Sequence, residues 1–513
     1  MVTTTSHRAF TGSIISALIV LLMSSISLAV TWEPEAYIDF PYADQYYGAQ
    51  LAVAEVEFLP EGESEATTLL VAITDGKDAV RLYSFNTSFP YALEFEDEVI
   101  VEVTGITTPI AWTPTFMDLD IDEGGNESCL VIPTLHEGSN EGSISIVRLT
   151  ERDNHDKLIV LKDCLSCDLG TNWSVYHVAE LHSSAEYDYA ISTEYGRQSP
   201  PNHDNDIIAL ASFDGSGNEF VDEDTLRIPA LYYGARHGAC WARAWVTAYQ
   251  DFQFGSSFDD RLCYTTTHNG GILIWDPTIE HPKVVSRIAA SQHGGWSFSG
   301  EVFGELGDVH RAVVLEGGSS TMDKLDDALV DSRLLFFSDN TMGFIITDIS
   351  KPDAPQFVWQ WDCDTRPCEE DEIGDDWDWH GTGNMDDDDI IQATPGAYPG
   401  ETFGIGLATD DATTPAVIHL YLAGGVDGLR LFDLSDFLDP LGRGQDGDDS
   451  NYDDFSIDIY DDYVVDENVM QAFDLQTFSE GGDTYVFTSW REDRSGDGYI
   501  GLTVHIDEDV VCD

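Results

Sequence analysis

The stretch Val417–Pro440, VIHLYLAGGVDGLRLFDLSDFLDP, reads as a strand, a glycine turn, a second strand and a polar corner. Residues Ile418–Ala423 are a short apolar run rich in strand formers. Gly424, Gly425 and Gly428, with Asp427, supply the backbone freedom a reversal needs. Leu429, Leu431 and Phe432 resume the strand. Asp433, Ser435 and Asp436 end it by offering side-chain oxygens to nearby amides, and Pro440 cannot donate to a ladder.

The same grammar recurs six more times: in Thr68–Phe85 (TLLVAITDGKDAVRLYSF), Cys129–Leu149, Tyr187–Phe213, Arg261–Asp276, Arg333–Asp348 and Thr484–Ile506. Seven hairpins start roughly 60–85 residues apart. That spacing suits a blade of four strands, two of them outside the visible hairpin, with loop inserts. Such a unit cannot bury its own sheet faces and must stack on its neighbours. The expected fold is therefore all-β, a seven-bladed β-propeller of four-stranded antiparallel blades. Trp32–Tyr42 is aromatic and strand-like, and Ile38–Tyr42 is the candidate strand that closes the last blade. Leu51–Phe58 and Arg311–Glu316 are strand-like segments between hairpins, and Thr321–Val330 is the one short helix candidate.

Three of these units resemble the repeat of LVIVD-repeat β-propellers. The resemblance rests on Gly428-Leu429-Arg430-Leu431-Phe432-Asp433-Leu434-Ser435-Asp436 and on Gly343 through Pro355, GFIITDISKPDAP. Gly271-Ile272-Leu273-Ile274-Trp275-Asp276-Pro277 is a looser copy. The resemblance implies a propeller and carries over no catalytic residue, because that family is functionally mixed. Tyr187–Gly196, YDYAISTEYG, faintly resembles one strand of the selenium-binding-protein propellers, which are linked to metal-dependent thiol oxidation; that family's metal-binding histidine and cysteine motifs are not evident here.

Arg8, the apolar run Ile14–Leu22 and the small residues Ser24–Ala29 read as a secretory signal peptide over residues 1–29. The apolar run falls short of the ~20 residues a membrane span needs. Residues 30–513 are then one propeller domain, with no membrane span left after cleavage. The expected location is secreted, extracellular or at the cell surface. Of the eight cysteines, Cys164 with Cys167, Cys363 with Cys368 and Cys240 with Cys263 are candidate disulfides, which leaves Cys129 and Cys512. Asn86, Asn126 and Asn172 begin glycosylation sequons at strand ends or loops.

The formal net charge is −72, from 95 acidic against 23 basic residues. With 42% hydrophobic residues the chain is not a disordered polyanion. The charge argues against nucleic acid or an anionic membrane as partner. It repels itself at low ionic strength and points to a saline or divalent-rich medium. Two inserts concentrate acids, one near residues 362–389, with Trp377 and Trp379 among carboxylates, and one near 445–462. They read as solvated loops or as divalent-metal sites.

Asp493-Arg494-Ser495-Gly496-Asp497-Gly498-Tyr499 follows the opening of a calcium loop, with Asp493, Ser495, Asp497 and Tyr499 as ligand positions. The twelfth position is Val504, where a bidentate Glu is expected, so two ligand oxygens are missing. Asp118–Gly124 and Asp214–Asn218 are poorer versions. His136 and His268, and more loosely Glu194 and Trp490, fall just past the first strand of their hairpins. His177, His182, His237, His293, His310 and His380 add to the pool. Imidazoles converging at a channel mouth would bind Zn²⁺, Cu²⁺ or Fe²⁺. No nucleophile elbow, phosphate loop or dinucleotide fingerprint occurs. Two functions stand: a binding or scaffold module for an extracellular protein or glycan, assisted by calcium; and a metal-dependent oxidase or hydrolase using channel histidines. Self-assembly as a surface-layer component is a third.

Overall fold

The structure is a computed structural model. It describes the strands and short turns between Trp32 and Asp507. Residues 1–31, 42–48, 102–108, 137–142, 164–172, 182–186, 196–206, 228–242, 251–261, 278–282, 304–308, 317–332, 362–403, 411–416, 435–458, 464–469, 493–498 and 508–513, with a few shorter turns, lie outside the described residues. So do the signal peptide, the short helix candidate and the pairings Cys164–Cys167 and Cys363–Cys368.

Seven antiparallel sheets follow one another along the chain. Blade 1 is Leu51–Phe58, Ala66–Thr74, Ala79–Asn86 and Ala92–Ile100. Blade 2 has a split inner strand, Pro109–Ala111 and Thr115–Asp120, both paired with Asn126–His136, then Ser143–Arg152 and Leu158–Asp163. Blade 3 is Trp173–Glu180, Tyr189–Tyr195, Ile207–Asp214 and Glu219–Arg227. Blade 4 is Arg243–Gln250, Leu262–His268, Gly271–Asp276 and Lys283–Ile288. Blade 5 is Val309–Glu316, Arg333–Asp339, Gly343–Asp348 and Gln356–Trp361. Blade 6 is Ile405–Asp410, Val417–Ala423, Leu429–Asp433 and Ile459–Tyr463. Blade 7 is Met470–Glu480, Asp483–Glu492 and Tyr499–Asp507, completed by the N-terminal strand Ala36–Pro41 on its outer edge. The first strands of successive blades touch in turn, and that of blade 7 touches that of blade 1. The chain is a seven-bladed β-propeller.

Each hairpin visible in the sequence is the second and third strand of one blade. Gly271, Gly343 and Gly428 stand at or just before the third strand of blades 4, 5 and 6, and Asp276, Asp348 and Asp433 end it. Gly425 and Gly428 have φ of 57° and 82°, which a side chain would strain. The closing strand runs from Ala36 and pairs Ile38 with Leu502, so Tyr499–Asp507 is paired on both sides and Ala36–Pro41 takes the outer edge.

The core is a set of layers between blades. In the second strand of blade 1, Leu69, Val71 and Ile73 pack on blade 7, whereas Leu70 and Ala72 pack on blade 2. In blade 6, Ile418, Leu420 and Leu422 pack on blade 5, and Tyr421 and Ala423 on blade 7. Both faces of these strands are covered, so their sequences are continuous apolar runs instead of alternating ones.

Four details differ from the sequence reading. Ala290–Ser291, Gly295–Phe298 and Glu301–Phe303 form a small extra sheet between blades 4 and 5. The second acidic insert ends earlier than 462, because Ile459–Tyr463 is the outer strand of blade 6. Cys263 forms no disulfide with Cys240: it is a free thiol buried in the layer between blades 3 and 4, against Leu273 and Trp275. Trp490 points away from the channel, into the layer between blades 6 and 7, where its Nε1 donates to Thr503 Oγ1 at 2.8 Å.

Candidate functional site

In blades 1, 5 and 7 a buried hydroxyl in the C-terminal half of the second strand holds a backbone amide of the inner strand. Thr74 Oγ1 accepts from the Gln50 amide at 2.9 Å, Ser338 Oγ from the Arg311 amide at 3.3 Å, and Ser489 Oγ from the Asp474 amide at 3.0 Å. Ser192 lies opposite His177 in the same register. In blade 6 the hydroxyl is replaced by Ala423, whose amide donates to the Gly404 carbonyl. Gln50, His177, Arg311, Gly404 and Asp474 are therefore equivalent positions of blades 1, 3, 5, 6 and 7, one rung of the ring. In blades 3, 5 and 7 the inner strand carries a bulge beside this position, between Val175 and His177, Val309 and Ala312, and Ala472 and Asp474. A bulge re-aims the adjacent side chain, here toward the axis.

Arg311 and Asp474 meet across the ring although blade 6 separates their blades. Nε donates to Oδ1 at 2.6 Å and Nη2 to Oδ2 at 2.7 Å, a paired charge-assisted bond. Between them, Gly404 of blade 6 lies tight against the inner strand of blade 7. A Cβ there would stand 2.4 Å from the Leu475 amide nitrogen, so blade 6 presents bare backbone at the rung. Arg311 Nη2 also donates to the Leu51 carbonyl at 3.1 Å, and Asp474 Oδ2 accepts from the Leu51 amide at 2.9 Å. One turn of pleat away, Gln476 Oε1 accepts from the Val53 amide and its Nε2 donates to the Leu51 carbonyl. The seam between the last and first blades is thus stapled by side chains that satisfy inner-strand backbone groups.

Two further groups complete the rung. Thr113 Oγ1 donates to Gln50 Oε1 at 3.1 Å, joining blade 2 to blade 1. His177 is buried, and its Nδ1 has no hydrogen-bond partner. Burial, and secondarily the Arg311 charge, push its pKa down to about 3, so the imidazole is neutral at physiological pH.

The other sequence candidates divide as follows. His136 and His268 occupy equivalent ends of the second strands of blades 2 and 4, two residues beyond Thr134 and Thr266. Their side chains lie outside the described residues, as do Glu194, His182, His237, His293, His310 and His380. Asp493, Ser495 and Asp497 fall in the undescribed turn between the second and third strands of blade 7. Tyr499 opens the third strand, exposed and opposite Pro41. Val504 is fully buried between blades 7 and 1, so the twelfth loop position belongs to the core. The two poorer calcium-like turns meet each other. Asn218 Oδ1 accepts from the Asp122 amide at 2.9 Å, and its Nδ2 donates to Asp122 Oδ1 at 2.8 Å. Asp122 also faces Arg148, which pairs with Glu127 at 2.7 Å. Here the acids dock blade 2 on blade 3. No group of three or more metal-ligating side chains stands together among the described residues.

A second polar cluster lies in the layer between blades 6 and 7. Asp507 Oδ2 accepts from Tyr421 at 2.5 Å and stands 2.5 Å from His419 Nδ1. Trp32 stacks on Tyr421 and meets the His505 ring at a tilt, centroids 4.7 Å apart. Burial pushes His505 down to about 3.

No family model matches the chain, and no curated protein matches it. Solved structures similar to it include BBS1N in complex with ARL6DN, at 9% identity over 91% of this chain and 97% of that one, TM-score 0.40. A neuraminidase-like protein from A/bat/Guatemala/164/2009 matches at 9% identity over 77% and 90%, TM-score 0.34. Trypanosoma rangeli sialidase in complex with the inhibitor DANA matches at 8% identity over 88% and 59%, TM-score 0.33. At these scores the likeness carries nothing about partners or chemistry.

Proposed function

We propose that the chain is a secreted binding or scaffold module of the LVIVD-repeat type, whose partner is an extracellular protein or glycan, with calcium supporting the rim that engages it. The observation that supports this is topological. Strands alternate in direction, so the connections between blades and the turns between second and third strands share one rim. The acidic 362–403 connection and the calcium-like 493–498 turn both join strands at that rim, around the channel end where the Arg311 rung sits. A rigid ring that holds variable loops on one face is a common arrangement for recognition. The strongly negative charge favours partners with cationic or calcium-bridged faces.

The test is calcium titration by calorimetry of the mature chain, followed by glycan-array and extracellular-protein capture with and without chelator. Binding that needs calcium and is lost in Asp493→Asn/Asp497→Asn supports the reading. Capture of nothing under either condition ends it. The equivalent placement of His136 and His268 on the same rim favours one second reading, a transition-metal enzyme. Stoichiometric zinc, copper or iron that disappears in His136→Ala/His268→Ala would carry that reading instead.

A further inference from the structure

We infer that Asn86 is an N-glycosylation site, the acceptor of an oligosaccharide from a lipid-linked donor, and that the fold leaves Asn126 bare. This rests on the export proposed above, which brings the chain to such a donor.

The two sequons stand in different backbone. Asn86 is the last residue of the third strand of blade 1, paired with Ala92, and residues 87–91 form the turn to the outer strand. Asn86 and Ser88 are both exposed. Asn86 Oδ1 accepts from the Ser88 amide at 3.0 Å, which bends the triplet into a turn. Asn86 Nδ2 faces the Pro90 carbonyl at 3.5 Å, too long to hold it, so the reacting nitrogen stays available. The Thr87 carbonyl accepts from the Tyr485 hydroxyl of blade 7 at 3.1 Å, which pins the turn in this shape.

Asn126 instead begins the second strand of blade 2, with its backbone opposite Asp120. Its sequon is extended, and the hydroxyl that completes it is engaged. Ser128 is 8% exposed, donates to Asp118 Oδ1 at 2.9 Å and accepts from the Glu57 amide at 3.4 Å. An enzyme that must hold amide and hydroxyl together reaches both at Asn86 and only the amide at Asn126. Asn172 lies outside the described residues.

The surroundings of Asn86 suit a sugar. Strands alternate in direction, so the turn of residues 87–91 lies on the rim opposite the turns between second and third strands. A glycan there leaves the rim of the 493–498 turn clear. Phe89 is 83% exposed, with its ring edge-on to Tyr91 at 6.0 Å between centroids, and it immediately precedes the Pro90 that Asn86 Nδ2 faces. The apolar face of the first sugar would cover that ring. The transfer needs one co-reactant, an oligosaccharide carried on a lipid pyrophosphate. Asn86 Nδ2 bonds to its anomeric carbon, and the bond from that carbon to the pyrophosphate oxygen breaks. The lipid pyrophosphate leaves with the electron pair, and the amide proton passes to a base of the transferase.

The experiment uses the full chain, leader included, produced in a secretory host that carries an oligosaccharyltransferase. Peptide mass mapping reads each asparagine separately. The expected result is a cleaved, secreted chain with glycan on the Asn86 peptide and none on the Asn126 peptide. Ser88→Ala, at an exposed position, should lose the glycan at Asn86, and Ser88→Thr should keep it. A secreted chain with Asn86 bare overturns the site and leaves the recognition reading standing. Glycan on Asn126 overturns the selection between the two sequons. A retained chain with its leader uncleaved and both asparagines bare overturns the export, and with it both proposals.

Discussion

At the scale of single residues, the cross-channel pair concentrates the most consequence in the fewest atoms. Asp474 is 5% exposed and Arg311 16%, so removing one charge leaves the other largely dry. Asp474→Asn should cost about 3–5 kcal/mol, the range for breaking a buried pair, as a lower urea midpoint at unchanged slope. Gly404→Ala should cost about 1–3 kcal/mol, because the new Cβ meets backbone that cannot swing aside. His177 gives a pH prediction. Its folded pKa is lowered from 6.5 to about 3, so below 6.5 the unfolded chain takes up a proton that the folded chain refuses. The contribution is present above pH 6.5 and is lost progressively as pH falls toward 3. His505 acts in the same direction. Comparing urea midpoints of the chain and His177→Gln between pH 7 and 4 isolates this effect, and the variant should show the flatter profile. None of these residues carries a local motif. The one sequence clue is a small hydroxyl residue in the C-terminal half of the second strands, Thr74, Ser192, Ser338 and Ser489, and it says nothing about what stands opposite.

At the scale of elements, the strand Ala36–Pro41 bridges the two ends of the chain. It pairs with Tyr499–Val504 and brings Phe40 into the layer of Phe85, Tyr485 and Phe487. Deleting residues 32–41 bares the outer edge of blade 7 and one side of that layer. The expected outcome is a thermal transition lowered by about 10 °C or more, with concentration-dependent association on a sizing column. The hairpins were legible because a two-sided burial writes itself as an apolar run broken by Gly and Asp. The inner strands were harder: their bulges and split segments interrupt the run, as at Trp112–Pro114 in blade 2. The fate of Asp122 shows a limit of motif reading. A calcium-like turn and an interblade contact use the same residue types, and only the position of Asn218 on the next blade tells them apart.

At the scale of the whole molecule, charge and closure oppose each other. A net charge of −72 pushes blades apart, whereas the layers between blades and the seam at Leu51, Val53, Asp474 and Gln476 hold them. Raising salt from about 0.05 to about 1 M shortens the screening length from over 10 Å to about 3 Å. The unfolding temperature should therefore rise with sodium chloride across that range, and calorimetry at fixed pH would check it. A flat response would mean that the acidic residues are already paired or too far apart to repel.

The amino-acid order determined the repeat, its count and the hairpin boundaries, because each strand must shield two faces and each reversal needs residues that tolerate it. It also determined that the N-terminal strand has a sheet to finish. The meeting of Arg311 with Asp474, the bare backbone at Gly404, the orphaned nitrogen of His177 and the burial of Cys263 were decided only by the tertiary structure. These contacts join residues far apart in the chain, and nothing local in their neighbourhoods distinguishes them until the ring closes and its inner strands face one axis.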